Sequence, residues 1–365
     1  MAFFSRLHTQ VLSWSNDTPL PHEPDAVPSF QSWHVFDSSD NRWNIASLGS
    51  SASNRTGPAQ RTAGGAADTS KRGSPSLVLV TWNVNYSSKE PEARINSILT
   101  HIRHLETVPD LIFFQEVSHP ALATMLQDQW VREGWYLSEA DTKNWGKQAF
   151  ATVTLISKSR FGHEKYVPEK PALGAIWRVK YPSRYARDAL CCDVFLPPSS
   201  PTSPISSPLV ATKTRVRFVN VHLDSLPINP SYRPRQLAIV TSLLRTAGRG
   251  LVAGDFNPVL PEDANLLSGN RLVDVWPELH PDQSGFTWGI NGDQPFPPNR
   301  LDKIGMLGLK AQNIEVMQCG NITSSSSSQA QEATKDAAEQ QHKDIREEVI
   351  PWSDHSGLSC SFALV

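Results

Sequence analysis

Six short polar segments follow one another along the chain in a fixed order. They are Thr81-Trp82-Asn83-Val84, Gln115-Glu116, His222-Leu223-Asp224-Ser225, Gly254-Asp255-Phe256-Asn257, Arg300-Leu301-Asp302-Lys303-Ile304 and Ser353-Asp354-His355. Most of them end or follow an apolar run. Together they supply amides, carboxylates and imidazoles, the groups that phosphodiester hydrolysis calls for. Charge on the non-bridging oxygens must be neutralised, a water activated and the leaving oxygen stabilised. Hard oxygen donors suit Mg²⁺, which binds through few carboxylates and keeps several waters. No single segment is specific; the ordered set is.

Glu116 follows Leu111-Ile112-Phe113-Phe114 almost directly. A carboxylate there is costly unless paired or metal-bound, which makes it the first candidate metal ligand; a solvated strand end is the alternative. Asp255 and Asn257 alternate along an extended segment, which predicts that both side chains project to one side, able to hold a water at phosphorus. A turn closed by an Asx bond is the alternative. His355 is the candidate for proton transfer or charge stabilisation, and a neighbouring carboxylate would fix its tautomer and favour the imidazolium. Arg184 and Arg187 could hold substrate phosphates bidentately, or pair with Asp188. Arg233, Arg235 and Gln236 read as the solvated face of a helix.

The series resembles the endonuclease/exonuclease/phosphatase superfamily over about Ser76 to Val365. The resemblance implies an α/β fold built as a four-layer sandwich, two stacked mixed β-sheets flanked by helices. It implies that Asn83 orients Glu116 or touches the metal, that Asp354 belongs to the metal–water shell and that Asp302 is the carboxylate partner of His355. It has His222 donating to a phosphate oxygen and Trp288, in Phe286-Thr287-Trp288, standing at the cleft rim, where it could stack on a base or a tyrosine ring; core packing is the alternative for Trp288. The family's base is described variously, so Asp255 and His355 share that role. Asn85 departs from the pattern, since many members carry Asp two residues after this Asn. The amide keeps the oxygen and drops the charge, which bears on metal affinity.

The implied activity is hydrolysis of a phosphodiester in nucleic acid or a nucleic-acid adduct, with Mg²⁺ as cofactor and Mn²⁺ able to substitute. His222-Leu223-Asp224-Ser225 followed by the Arg-x-x-Gln-Leu run Arg233 to Leu237 looks closest to the tyrosyl-DNA phosphodiesterase branch. An inositol-phosphate or phospholipase-C-like lipid phosphoesterase is the alternative. The stretch Val252 to Val259 lacks the Trp and Tyr-Arg of the inositol 5-phosphatase pattern. A catalytically dead binding scaffold is the alternative of another class. Retention of Glu116, Asp255, Asn257, Asp354 and His355 speaks against it.

The elements that must position these groups follow from periodicity. Leu77 to Val80 and Leu111 to Phe114 are apolar runs bounded by turn residues, hence buried strands. Between them Pro91 opens a helix whose Ile95, Ile98, Leu99, Ile102 and Leu105 share one face. This strand–helix–strand order predicts an α/β fold. Further strands are predicted over Ala151 to Ile156, Ala189 to Leu196, Val216 to Val221 and Leu251 to Ala253, and a helix from about Pro234 to Arg245. Residues 76–365 form the catalytic domain, with low-complexity insertions at 197–208 and 324–348. Residues 1–75 form an N-terminal extension. Its Ser50 to Ser74 stretch has too little apolar content to order itself. The clusters near 32–45 read as a docked hairpin.

With 39% hydrophobic residues the chain can bury a sizeable core. A net charge of −2 gives no general basic excess, so contact with nucleic acid must be local. The four cysteines have no zinc spacing. They read as reduced core residues, with Cys191 and Cys192 on opposite faces of a strand. No run has the length of a transmembrane helix, and the first residues lack a secretory signal. The expectations are a monomer in an intracellular setting, nuclear or cytoplasmic.

Overall fold

The computed structural model describes residues 11–13, 17–47, 76–162, 171–197, 213–292, 294–325 and 347–364. Among these, a seven-stranded sheet runs in the order β1 (Val27–Gln31), β8 (Ala172–Lys180), β9 (Asp188–Leu196), β10 (Thr214–His222), β11 (Gly250–Asp255), β13 (Asp302–Leu307) and β12 (Val273–Asp274). An eight-stranded sheet runs β14 (Leu309–Met317), β17 (Gly357–Leu364), β4 (Leu77–Asn83), β5 (Leu111–Ser118), β7 (Phe150–Ser157), β6 (Trp135–Leu137), β2 (His34–Asp37) and β3 (Arg42–Ile45). Both are mixed. The pairs β4·β5 and β10·β11 are parallel, each joined through a helix, α1 (Pro91–Arg103) and α4 (Arg233–Ala247). The short helices α2 (His119–Gln127) and α3 (Gln129–Gly134) follow β5, and α5 (Leu266–Gly269) and α6 (Val275–Leu279) follow β11.

The two-residue period of the strands sorts their side chains into layers. Leu79, Leu111 and Phe113 face Cys192, Phe218, Leu251, Ala253 and Ile304 between the sheets. On the outer face of the larger sheet, Val80, Trp82, Ile112 and Phe114 pack against Ile95, Ile98, Leu99 and Ile102 of α1. On the outer face of the other, Trp177, Val219, Val221 and Val252 meet Leu237, Val240 and Leu244 of α4. The result is the α/β sandwich of two stacked sheets between helices. Cys191 and Cys192 do lie on opposite faces, one under α4 and one between the sheets.

Strands β1, β6, β8, β12, β13, β14 and β17 are not among those read from the sequence. Part of β8 and much of β14 carry polar residues that break the apolar run. The strand β5 does not stop before Glu116 but continues through a bulge to Ser118. The residues near 32–45 pair as β2 and β3, β2 joins β6, and Trp33 is fully buried with its indole N–H on the Gly174 carbonyl at 3.0 Å. Most of the 197–208 insertion and residues 326–346 lie outside the described residues, as does Ser50 to Ser74. The ends of the 324–348 insertion belong to a two-stranded ribbon, β15 (Asn321–Ser325) with β16 (Glu347–Pro351).

Candidate active site

At one end of the sandwich the layer between the sheets turns from apolar to polar. Along β4 the inward series runs Leu77, Leu79, Thr81, Asn83; along β5, Leu111, Phe113, Gln115. Along β10 it is Val216, Phe218, Asn220, His222; along β11, Leu251, Ala253, Asp255. Gln115 Nε2 donates to Asn220 Oδ1 at 2.9 Å and to Thr81 Oγ1 at 3.1 Å, and Asn220 Nδ2 donates to the Val153 carbonyl at 3.0 Å. This bonded tier seals the apolar core and supports the groups beyond it. Gly254 allows the close approach of β10 and β11: a Cβ there would lie 2.0 Å from the Val221 carbonyl oxygen, where only glycine fits.

Asn83 Nδ2 is the hub. It donates to Asp255 Oδ2 at 3.0 Å and to Glu116 Oε1 at 3.3 Å, joining one carboxylate from each sheet. By parity Glu116 would face the helix layer with Ile112 and Phe114. The register shift between Phe114 and Val117, with Glu116 at φ 57°, turns it toward Asn83 instead. Its other oxygen accepts the Tyr86 N–H at 3.0 Å. His222 is buried, with Nε2 3.4 Å from Asp255 Oδ2 and 3.7 Å from Glu116 Oε1. Neither of its ring nitrogens has a hydrogen-bond partner among the described residues.

His355 Nδ1 and Asp302 Oδ2 are 2.8 Å apart, both buried. The Asp302 N–H donates to Thr287 Oγ1 at 3.1 Å, and Trp82 Nε1 holds the His355 carbonyl at 2.9 Å. Ser353 Oγ donates to the Asn83 carbonyl at 2.6 Å and accepts the His355 N–H at 3.1 Å, fastening this loop to β4. Burial opposes the charge of His355, but the adjacent Asp302 carboxylate outweighs it and pushes the imidazole well above its ordinary range. His222 moves the other way: burial, then the charges of Arg187 and His355, hold it well below. Burial raises Asp255 to about 7, with Asp302 and Glu116 adding to the rise and His355 opposing it.

Several expectations change. Asn257 is not extended. It sits at φ 46°, and its N–H donates to Asp255 Oδ1 at 2.9 Å, so the Asx turn prevails over strand alternation. Its Nδ2 reaches toward the Leu223 carbonyl at 3.4 Å, still at the mouth of the site. Asp354 accepts from Trp288 Nε1 at 3.2 Å, with Trp288 half-buried at the rim. Asp188 is bound by Arg178 at 2.9 Å, not by Arg184 or Arg187. Arg184 lies over the Tyr232 ring at 4.8 Å, whereas Arg187 reaches Ser225 Oγ at 3.1 Å and feels the charges of Glu116 and Asp255.

Arg233 and Gln236 are buried rather than solvated. Arg233 binds Asp263 at 2.7 Å, and Gln236 Nε2 donates to Asp224 Oδ1 at 2.9 Å. Asp224 in turn accepts the Arg184 N–H at 2.9 Å, which anchors the loop that presents Arg187. The Arg-x-x-Gln spacing puts both residues on one helix face, and that was the available signal. Arg235 pairs with Glu23 and Asp25. Arg94 gave no signal. Buried, it donates to the carbonyls of Val84 at 2.9 Å, Lys89 at 2.8 Å, Asn85 at 2.6 Å and Trp352 at 2.7 Å, tying the loop after β4 to the Ser353 loop.

Glu116 and Asp255 are hard oxygen donors, both held by Asn83 Nδ2, whose own Oδ1 accepts the Asn85 N–H at 3.0 Å; Asp302 and Asp354 lie close enough for their charges to act on His355. This chemistry fits a Mg²⁺-sized ion. Among the described residues no three His, Cys, Asp or Glu side chains form a metal cage. Mg²⁺ does not require such a cage, since it binds through one or two carboxylates and keeps several waters. Asn85 Oδ1 accepts from Ser87 Oγ at 2.9 Å and from the Ser87 N–H at 3.2 Å, so its side chain serves a turn. Asn85→Asp is therefore expected to change Mg²⁺ affinity by no more than about twofold in calorimetric titration. A gain of about tenfold would place the new carboxylate on the ion.

A model of the endonuclease/exonuclease/phosphatase family matches residues 80–355. Among solved structures, a humanized D. rerio TDP2 superposes with a TM-score of 0.52 at 16% identity, over 79% of this chain and 98% of that one. D. rerio TDP2 complexed with single-strand DNA product gives 0.51 and 18%, over 79% and 98%. A family protein from Bacteroides thetaiotaomicron gives 0.51 and 13%, over 80% and 96%. At these identities the likeness is one of fold. Comparison with curated protein sequences gave no match.

Proposed function

The chain belongs to the endonuclease/exonuclease/phosphatase family, and from that premise we propose that it hydrolyses phosphodiesters in nucleic acid or a nucleic-acid adduct, with Mg²⁺ as its cation. One observation carries this reading. Glu116 and Asn83 from one sheet meet Asp255 and His222 from the other, beside the buried His355–Asp302 pair. A structural core has no use for two carboxylates on one amide next to an unpartnered imidazole, because buried polar groups are costly unless satisfied.

The roles follow from the contacts. Glu116 would hold the ion, its carboxylate oriented by Asn83 Nδ2, and the ion would supply positive charge against the phosphate oxygens. Asp255, held by Asn83 Nδ2 and the Asn257 N–H, takes the proton of the attacking water. Asp302 binds Nδ1 of His355 and leaves Nε2 for the substrate, where it stabilises charge at phosphorus or protonates the leaving oxygen. His222 donates its unpartnered N–H to a phosphate oxygen. Arg187 binds a further one.

The fold is one on which TDP2 holds a single-strand DNA product, which supports single-stranded nucleic acid as the first class to test. The experiment is a panel of 5′-tyrosyl oligonucleotide, abasic duplex, single-stranded DNA and RNA, inositol phosphates and sphingomyelin, each with Mg²⁺, Mn²⁺ or EDTA. Turnover of a nucleic-acid member with metal, and none in EDTA, is the expected result. Turnover confined to inositol phosphates or sphingomyelin would overturn the substrate class.

A further inference from the structure

Phe150, at the start of β7, lies between the catalytic cluster and solvent. Its ring is stacked on that of Tyr86, centroids 4.0 Å apart at 26°. The Arg187 guanidinium carbon lies 4.8 Å from the Phe150 centroid, and the His222 ring 6.2 Å from it. Tyr86 is also tied to the site through its main chain, since its N–H donates to Glu116 Oε2. The rings therefore form a short column fixed to Glu116 on one side and to Arg187 on the other.

The column ends in solvent. Tyr86 is 41% exposed although it stands on an aromatic ring. The exposed surface of Tyr86 is available to a further ring, which would gain the free energy of burial by lying on it. The open ring is thus a platform at the mouth of the site, held in place before any substrate arrives.

We propose that Tyr86 is a stacking subsite for a planar ring of the substrate, the base flanking the scissile phosphate, while Arg187 beside the same column binds that phosphate. The proposal rests on the nucleic-acid reading above and specifies which part of the substrate is recognised. Stacking on an aromatic side chain accepts any base, since each has a π-face. The subsite therefore distinguishes a ring from no ring and does not read sequence. The phenol ring of a tyrosyl adduct offers the same chemistry.

The test is equilibrium binding to the full-length chain of three phosphorothioate-linked strands, labelled at the far 3′ end and read by anisotropy. One is an oligothymidylate, one lacks the base at the 5′ nucleotide, and one lacks that base but carries a 5′-tyrosyl group. Oligothymidylate is expected to bind about tenfold tighter than the base-free strand. Tyr86→Ala should abolish that ratio and Tyr86→Phe should keep it. If the tyrosyl group alone restores affinity that depends on Tyr86, the platform stands with the phenol as its ring. If Tyr86→Ala keeps the wild-type ratio and binds the tyrosyl strand as wild type does, the platform is wrong. Mg²⁺-dependent cleavage of ordinary oligonucleotide would then still uphold the hydrolase. Binding that depends on Tyr86, with no Mg²⁺-dependent cleavage of ordinary DNA, abasic duplex, RNA or 5′-tyrosyl oligonucleotide, upholds the platform and overturns the hydrolase. Failure of all three strands to bind overturns the platform, while the hydrolase is decided by turnover of the substrate panel.

Discussion

His355→Ala is expected to lower kcat by about a thousandfold while KM changes little, the pattern of an interaction made only in the transition state. Its Nδ1 is committed to Asp302 Oδ2 at 2.8 Å, so Nε2 alone is free for the substrate. Asp302→Asn should be damaging too. The amide can present an N–H to Nδ1, which imposes the wrong tautomer and removes the charge that favours the imidazolium. Because the two residues act as one unit, the double variant should be scarcely worse than His355→Ala alone. Steady-state kinetics of the four proteins decide it; additive losses would mean that Asp302 serves the site by another route. Removing the imidazole strands a buried carboxylate, at a cost of about 3–5 kcal/mol in stability. Melting curves should therefore accompany the kinetics, and His355→Gln serves as a second variant that keeps a donor for Asp302.

Glu116→Gln should lose most activity at low Mg²⁺ and regain much of it at high Mg²⁺. The amide can still accept the Tyr86 N–H but no longer offers a full negative charge to the ion. The Mg²⁺ concentration for half-maximal rate is expected to rise by about tenfold or more, the loss of one charge at close range. Wild-type activity of the variant across the titration would remove Glu116 from the ligand set.

Much of the site was legible because its residues end strands whose apolar halves are obvious. Leu77-Val78-Leu79-Val80 before Asn83, Val216 to Val221 before His222 and Leu251-Val252-Ala253 before Asp255 set both the strand and the parity of the polar residue. The stacking of two sheets came from the family resemblance, since periodicity gives faces and not what lies against them. Backbone departures were not legible. Glu116 reaches the site through a bulge and Asn257 through a turn, and each overrides strand alternation. The supporting residues were also hidden. Arg233 and Gln236 look like surface residues of a helix. They are buried because Asp263 and Asp224, distant in sequence or across a loop, supply their partners. Among the described residues Arg94 donates only to main-chain carbonyls, which no residue pattern encodes.

The central claim is that the cluster around Asp255 hydrolyses phosphodiesters with the help of a divalent ion. Its most direct test is the rate of nitrophenolate release from bis(p-nitrophenyl) phosphate by the wild-type chain and by Asp255→Asn, in Mg²⁺ and in EDTA. The substitution keeps the shape and can keep the Asn257 contact but turns an amide N–H toward Asn83 Nδ2, so a melting curve of the variant accompanies the rates. Release by the wild type in Mg²⁺, abolished by EDTA and reduced by about a hundredfold or more in Asp255→Asn, is the expected result. No release by the wild type, or an equal rate in Asp255→Asn, would contradict the account.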